Sequence, residues 1–239
     1  MPEVKVRRRY DASRRQEQAA RTRSGILDIA RQQLLESGYA ATTIAGIAAQ
    51  AEVSVETVYK AFGGKSGVVR ALWERGLRGS QGQGRGAVPA PARSDALSTS
   101  ESDPRVVLRG WGRLTTEVAP EVGPIMLLIR AASASDPDMA ELLAEAEGQR
   151  RERMRRNARR LQRRGWLRPG LSVTQASDIL WTYSSAEFYD LLVLKSGWSA
   201  GRYGDFVGEA LIAALLPPVP SRIATAPDRR RAADQPRLG

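Results

Sequence analysis

Between residues 24 and 78 the apolar side chains fall at helical spacing, and each run is closed by a residue type that punctuates a helix. Ile26, Ala30 and Leu34 recur four apart, with Leu27 beside them, and form one stripe to be buried. Gly38 stands where a helix ends, because a residue without Cβ can reverse the backbone there at no steric cost. Thr42 and Thr43 are suited to cap a second helix over residues 44–51, whose Ile44, Ile47 and Ala48 share a face. Ala51-Glu52-Val53 makes a short turn. Ser54 then caps a third helix over residues 55–62, with Val58 and Phe62 pointing inward. After Gly63-Gly64 a fourth helix begins near Lys65 and carries Val68, Val69 and Leu72. No pair of alternating apolar strands joined by a turn occurs along the chain, so the sequence predicts an all-α fold.

Two short helices joined by a tight turn, the second opened by a Ser cap, have the spacing of a helix-turn-helix. With Val58 and Phe62 held to the core, the first turn of the second helix projects Ser54, Val55, Glu56, Thr57 and Lys60 outward. An ordinary three-helix bundle with no role on DNA has the same generic spacing. Two features favour DNA. Tyr59 and Lys65 offer phosphate donors beside the helix, and residues 1–23 form a basic arm carrying Lys5, Arg7, Arg8, Arg9, Arg14, Arg15, Arg21 and Arg23. The formal net charge of +11 points the same way, toward a polyanionic partner.

The string Gly38-Tyr39-Ala40-Ala41-Thr42-Thr43-Ile44, with Ile47-Ala48, Val53-Ser54, Thr57-Val58-Tyr59, Phe62 and Lys65, resembles the DNA-binding domain of the tetracycline-repressor (TetR) family. The resemblance spans residues 24–77. It implies that the third helix reads bases and that Thr43, Tyr59 and Lys65 grip phosphates. It also implies a larger C-terminal helical domain that binds a small molecule and forms a homodimer through its last two helices. The sequence departs from the family pattern at Glu52-Val53, where Gly-Val is usual, and at Glu56, an acid on the reading face. Glu56 has two readings. It accepts from a cytosine amino group, or it repels phosphate and lowers nonspecific affinity.

Enzymatic chemistry is poorly provided for. The chain has no Cys and no His, so it has no thiolate nucleophile, zinc knuckle, imidazole base or Ser-His-Asp triad. Glu117, Asp178 and Glu187 show no pairing for acid/base work. Gly64-Lys65-Ser66 is not a phosphate loop, since Tyr59 occupies the position of its first glycine. No enzyme, metal site or cofactor is expected. The longest apolar runs, at residues 125–129 and 210–216, are far shorter than the roughly 20 residues of a membrane helix, so a cytoplasmic protein without membrane contact is expected.

Residues 79–103, rich in Gly, Ser and Pro and including Gly82, Gly84 and Gly86, read as a flexible linker, and residues 217–239 as a disordered basic tail. Residues 104–216 return to long helical periods and form the second domain. Residues 150–164 hold nine arginines against Glu152. They read as the wet face of a helix with Leu142, Leu143, Met154, Ala158 and Leu161 inside, or else as a second nucleic-acid surface or a dock for an anionic ligand. A pocket is expected from Trp111 and Leu114 on the helix near Pro104, Met126 and Ile129 on the next, and Met154, Trp181, Tyr183 and Phe188. Such walls suit a neutral or anionic organic effector. For assembly, Ile179, Leu180, Tyr183, Leu191, Leu192 and Leu194 on one helix, with Phe206, Val207, Leu211, Leu215 and Leu216 on the next, offer the dimer face. Double-stranded DNA with a palindromic operator is the partner expected, for a repressor released by its effector. The rival readings are an architectural nucleic-acid-binding protein without effector and, last, an enzyme of unknown type.

Overall fold

The computed structural model describes residues 3–79 and 88–218, with side chains from residue 14 onward. Within them lie ten α-helices, one π-helical turn and no strand. Helix α1 (Glu3–Ala41) runs through the basic arm. It holds helical geometry up to Gly38, whose φ of 79° and ψ of 171° break the run where the sequence predicts its end. Helices α2 (Ile44–Gln50), α3 (Val55–Phe62) and α4 (Lys65–Arg78) follow. Ile26, Leu27, Ala30, Leu34, Ile47, Val58 and Leu72 close a core that continues into the second domain through Ile125, Ile129 and Leu142.

The turn between α2 and α3 carries the departure noted at Glu52. Its φ is 53°, the left-handed region that glycine occupies freely and other residues rarely adopt. The turn keeps its shape because Val53 N–H still bonds Ala48 O at 3.0 Å, so the strain falls on Glu52 alone.

The second domain contains α5 (Ala90–Ser100), α6 (Pro104–Ala132), α7 (Pro137–Arg163), α8 (Val173–Tyr183), α9 (Ala186–Tyr189), a π-helical turn (Asp190–Lys195) and α10 (Ala200–Leu215). Helix α5 corrects the linker expectation for its second half. Arg160 on α7 bonds Asp95 at 3.1 Å and also reaches Ser98 Oγ, and Arg164 bonds Ser98 O at 3.0 Å. Those bonds pin α5 to α7, a long-range tie that local composition does not encode. Gly82, Gly84 and Gly86, and the tail beyond residue 218, lie outside the described residues.

Helix α6 is one helix where two were expected, although Pro120 and Pro124 lie inside it. Pro124 has no N–H to give to the carbonyl of Pro120, four residues back. Arg31 on α1 supplies the missing donor, its Nη2 meeting Pro120 O at 3.0 Å. The long helix expected over residues 179–194 is instead broken at Ser184 and Ser185, where Ser185 caps α9. The face offered for assembly also differs from expectation. Leu180, Val207, Leu211, Leu215 and Leu216 are buried in this chain's own core, while Leu191, Leu194 and Phe206 remain exposed.

Helices α6 and α10 touch backbone to backbone. A Cβ placed on Gly112 would collide with the carbonyl of Gly204 and the amide of Gly208. Gly112→Ala is expected to lower stability by about 1–3 kcal/mol, as overpacking against backbone does, read from urea unfolding. Glu52→Gly is expected to raise stability by about 0.5–1 kcal/mol in the same assay, because relief of left-handed strain outweighs the added freedom of the unfolded chain. A Glu52→Gly protein less stable than the parent would show that the turn is not strained.

Candidate nucleic-acid interface and ligand cavity

Ser54 opens α3 by accepting from Thr57 N at 3.2 Å, which directs the first turn away from the core. Val58 is fully buried, whereas Ser54, Val55, Glu56, Tyr59 and Lys60 are exposed and Thr57 is half-exposed. The residues expected to read DNA thus lie on the solvent side of α3 and its cap. Glu56 is held below the ordinary carboxylate range, first by its own backbone N–H and then by the Ser54 hydroxyl, so it presents a fixed negative charge. Tyr59 is 52% exposed. Thr43 accepts from Gly46 N at 3.0 Å as the cap of α2 and lies on the exposed side of that helix.

Lys65 is engaged otherwise. Its Nζ donates to Tyr39 O at 2.8 Å and Thr42 O at 3.1 Å, and lies 4.1 Å from the Tyr39 ring centre. An ammonium has three donors, and two of them here close the end of α1. Arg23, which the sequence reading placed only in the arm, reaches Ala61 O and stacks 4.1 Å over the Phe62 ring. Its distance from α3 in sequence hid that role.

The two domains meet through polar ties. Tyr39 Oη donates to Asp136 Oδ2 at 2.8 Å, and Asp136 in turn caps α7 by accepting from Met139 N at 3.2 Å. Burial and then Asp136 push the Tyr39 phenol upward, while the Tyr39 bond first of all holds Asp136 down. Arg70 on α4 pairs with Glu145 on α7, and Arg31 on α1 pairs with Glu121 on α6 at 3.5 Å.

A cavity of about 230 Å³ lies in the second domain. Of the residues named from sequence, Trp111, Leu114, Met126, Met154 and Tyr183 line it. Three expected residues do not. Ile129 is fully buried in the core shared with the first domain. Trp181 lies beneath the guanidinium groups of Arg150 and Arg151, and Phe188 packs on Tyr183 with ring centres 5.2 Å apart. The walls also include Trp73 and Leu77 of α4, Tyr189, Tyr203, Arg150, Arg153 and Asn157. Of these, Arg153 and Asn157 had a legible signal, being one helical turn apart inside the arginine run. Trp73 had none, since only tertiary packing brings α4 to the second domain. Among the described residues no group of acids could hold a metal ion, and no helix is long and apolar enough to cross a membrane.

An N-terminal helix-turn-helix set on a larger helical domain with an internal cavity is the architecture of a DNA-binding regulator. Residues 26–72 match the model of the bacterial regulatory proteins of the tetR family, which upholds the resemblance drawn from residues 38–65. The match covers the helix-turn-helix region, and the chain shares its fold with solved structures of regulators. SmeT, the repressor of the Stenotrophomonas maltophilia multidrug efflux pump SmeDEF, is similar with TM-score 0.60 at 24% identity, over 82% of this chain and 90% of that one. Its triclosan complex gives TM-score 0.63 at 24% identity, over 82% of this chain and 92% of that one. A putative TetR-family regulator from Syntrophomonas wolfei gives TM-score 0.62 at 21% identity, covering 80% of this chain and 93% of that one. A putative regulator from Saccharomonospora viridis, in complex with choline, gives TM-score 0.61 at 18% identity, covering 83% and 100%. No curated protein sequence matches the chain.

The Tyr39–Asp136 bond has a pH signature. A carboxyl held below its ordinary value stabilises the fold above that value and loses the contribution as pH falls through the folded one. A raised phenol stabilises below its ordinary value and loses the contribution in strong alkali. Tyr39→Phe is therefore expected to lower the urea midpoint at neutral pH, with the gap to wild type closing in acid. Equal midpoints at pH 7 would remove this bond from the interdomain tie.

Proposed function

We propose that this protein is a homodimeric transcriptional repressor in the cytoplasm, released from a palindromic operator by a small organic molecule. The observation that carries this reading is the placement of α4. The helix starts at Lys65, next to the exposed face of α3, and ends with Trp73 and Leu77 in the cavity wall. A ligand that displaces that wall tilts the helix which carries the reading head, and so alters its fit to DNA.

On this reading Val55, Glu56, Thr57 and Lys60 choose the sequence, while Thr43, Ser54 and Tyr59 position the backbone. Lys65 acts mainly by holding the end of α1 and keeps one donor for phosphate. The exposed Leu191, Leu194 and Phe206 contribute to the dimer contact. The efflux-pump repressor with a similar fold supports repression over activation. The absence of His and Cys and the lack of paired acids favour a regulator over an enzyme.

Footprinting on the DNA flanking the protein's own gene tests the reading. A repressor gives one short protected palindrome, and an architectural protein gives diffuse coverage. Glu56→Ala is expected to change the preferred base at one or two positions in a selection from random DNA. Lys60→Ala, at a base-reading position, is expected to relax the preference at one base pair in the same selection while leaving the salt slope nearly unchanged. An identical selected motif for wild type and Glu56→Ala would sink the reading role of Glu56.

A further inference from the structure

The arginines of α7 are unequally employed. Arg150 donates to Trp181 O at 2.5 Å, Ser184 Oγ at 3.1 Å and Glu147 at 2.7 Å. Arg160 and Arg164 hold α5. Arg153 stands between these groups, lines the cavity, and has neither a hydrogen bond nor an ion pair among the described residues. Burial is the main influence on it and pulls its pKa below the ordinary value, and Arg156 adds like-charge repulsion. Asp95, which attracts it more weakly, is bonded to Arg160.

The cavity around Arg153 has donors in excess. Asn157, one turn further along α7 and 5% exposed, also lines the cavity and makes no side-chain hydrogen bond among the described residues. On α6, Trp111 contributes to the wall and its buried Nε1 has no acceptor. The one carboxylate on the wall, Glu147, is already bound by Arg130 at 2.6 Å and by Arg150. Leu114, Val118, Met126 and Leu180 make much of the remaining lining apolar. An unpaired guanidinium beside an apolar space is costly, and a ligand that brings a carboxylate removes the cost.

We propose that the cavity binds a small organic monoanion, its carboxylate on Arg153 and Asn157 and its apolar body against the α6 wall. Size limits the ligand. A cavity of ~150 Å³ takes up benzene, so about 230 Å³ suits roughly nine non-hydrogen atoms. Benzoate and heptanoate have that size and charge, and benzamide and heptanamide are their neutral isosteres. The proposal rests on the reading of this cavity as the effector site, and names the class of effector.

The test is titration of the full chain with these four compounds, followed by tryptophan fluorescence and calorimetry, for wild type, Arg153→Gln and Arg153→Lys. At least one acid is expected to bind wild type ten-fold or more tightly than its amide. Arg153→Gln should reduce that preference to about two-fold or less, leaving amide affinity unchanged, and Arg153→Lys should restore part of it. Arg153→Gln should also melt at or above the wild-type temperature, because it removes an unpaired cation. Equal affinity for acid and amide, no binding of either acid at millimolar concentration, or a preference that survives Arg153→Gln overturns the proposal. Operator affinity measured in the same titrations separates the two claims. An acid that binds through Arg153 without weakening the operator complex supports the anion site and overturns release by ligand.

Discussion

Helix α6 is the post on which the other helices lean, and it cannot complete its own hydrogen bonds. Helices α1, α4, α5, α7, α9 and α10 all pack against it. Two prolines in its middle remove backbone donors, and an unmet carbonyl in a partly buried helix is costly. Arg31 answers that need at the carbonyl of Pro120 from the first domain and adds its pair with Glu121. The defect in one domain is therefore mended by the other, and the position of α1 on α6 follows from a vacancy in the hydrogen-bond ladder. At the other end of α6, small residues let α10 approach at backbone distance. One helix thus sets both the seat of the DNA-binding domain and the seat of the last helix.

A second tie acts at the top of α7. Lys65 closes the carbonyl end of α1, its ammonium lies on the Tyr39 ring, and the Tyr39 hydroxyl bonds the residue that caps α7. Three polar contacts in series join the start of α4, the end of α1 and the start of α7. Arg70–Glu145 runs parallel to them along the same two helices. The α4–α7 contact is accordingly polar and half-exposed, while the α4–α6 contact is apolar and close, with Gly76 tight against Val122. Polar, half-exposed contacts exchange partners at lower cost than a close-packed apolar seam, which makes the α7 side the more adjustable of the two.

Arginine serves four different ends here. Arg31 repairs a helix, Arg150 clasps α8, Arg160 and Arg164 hold down α5, and Arg153 faces the cavity. The arginine run on α7 is thus more than a wet face. Its apolar stripe is as expected, with Leu142, Ala158 and Leu161 buried, but several of its charged positions fasten other helices. The ends differ because each guanidinium meets a different neighbour, and a planar group with five donors can serve any of them.

Local order was legible in the chain and long-range order was not. Spacing and punctuation located the end of α1 and the bounds of α2 through α4 closely, because caps, glycine breaks and apolar stripes act within a few residues of one another, while the helix through the basic arm was not foreseen. The same residues indicated the outward face of α3, and the family resemblance marked Glu52 as a departure in its turn. The helix at residues 90–100 escaped, since its composition suits a linker and it is held by arginines 65 and 66 residues away. Two helices were expected over residues 104–132 where one runs through Pro120 and Pro124, because a donor missing from its ladder comes from α1. Likewise Ile129, Trp181 and Phe188 fit a pocket by residue type, and only packing turned them from the cavity and brought Trp73 and Arg153 to it. The amino-acid sequence by itself determined an all-α chain with an N-terminal helix-turn-helix, since those features depend on contacts within a turn or two. Tertiary structure alone decided what the cavity contains, because its wall is assembled from seven helices and no short stretch of sequence sees more than one of them.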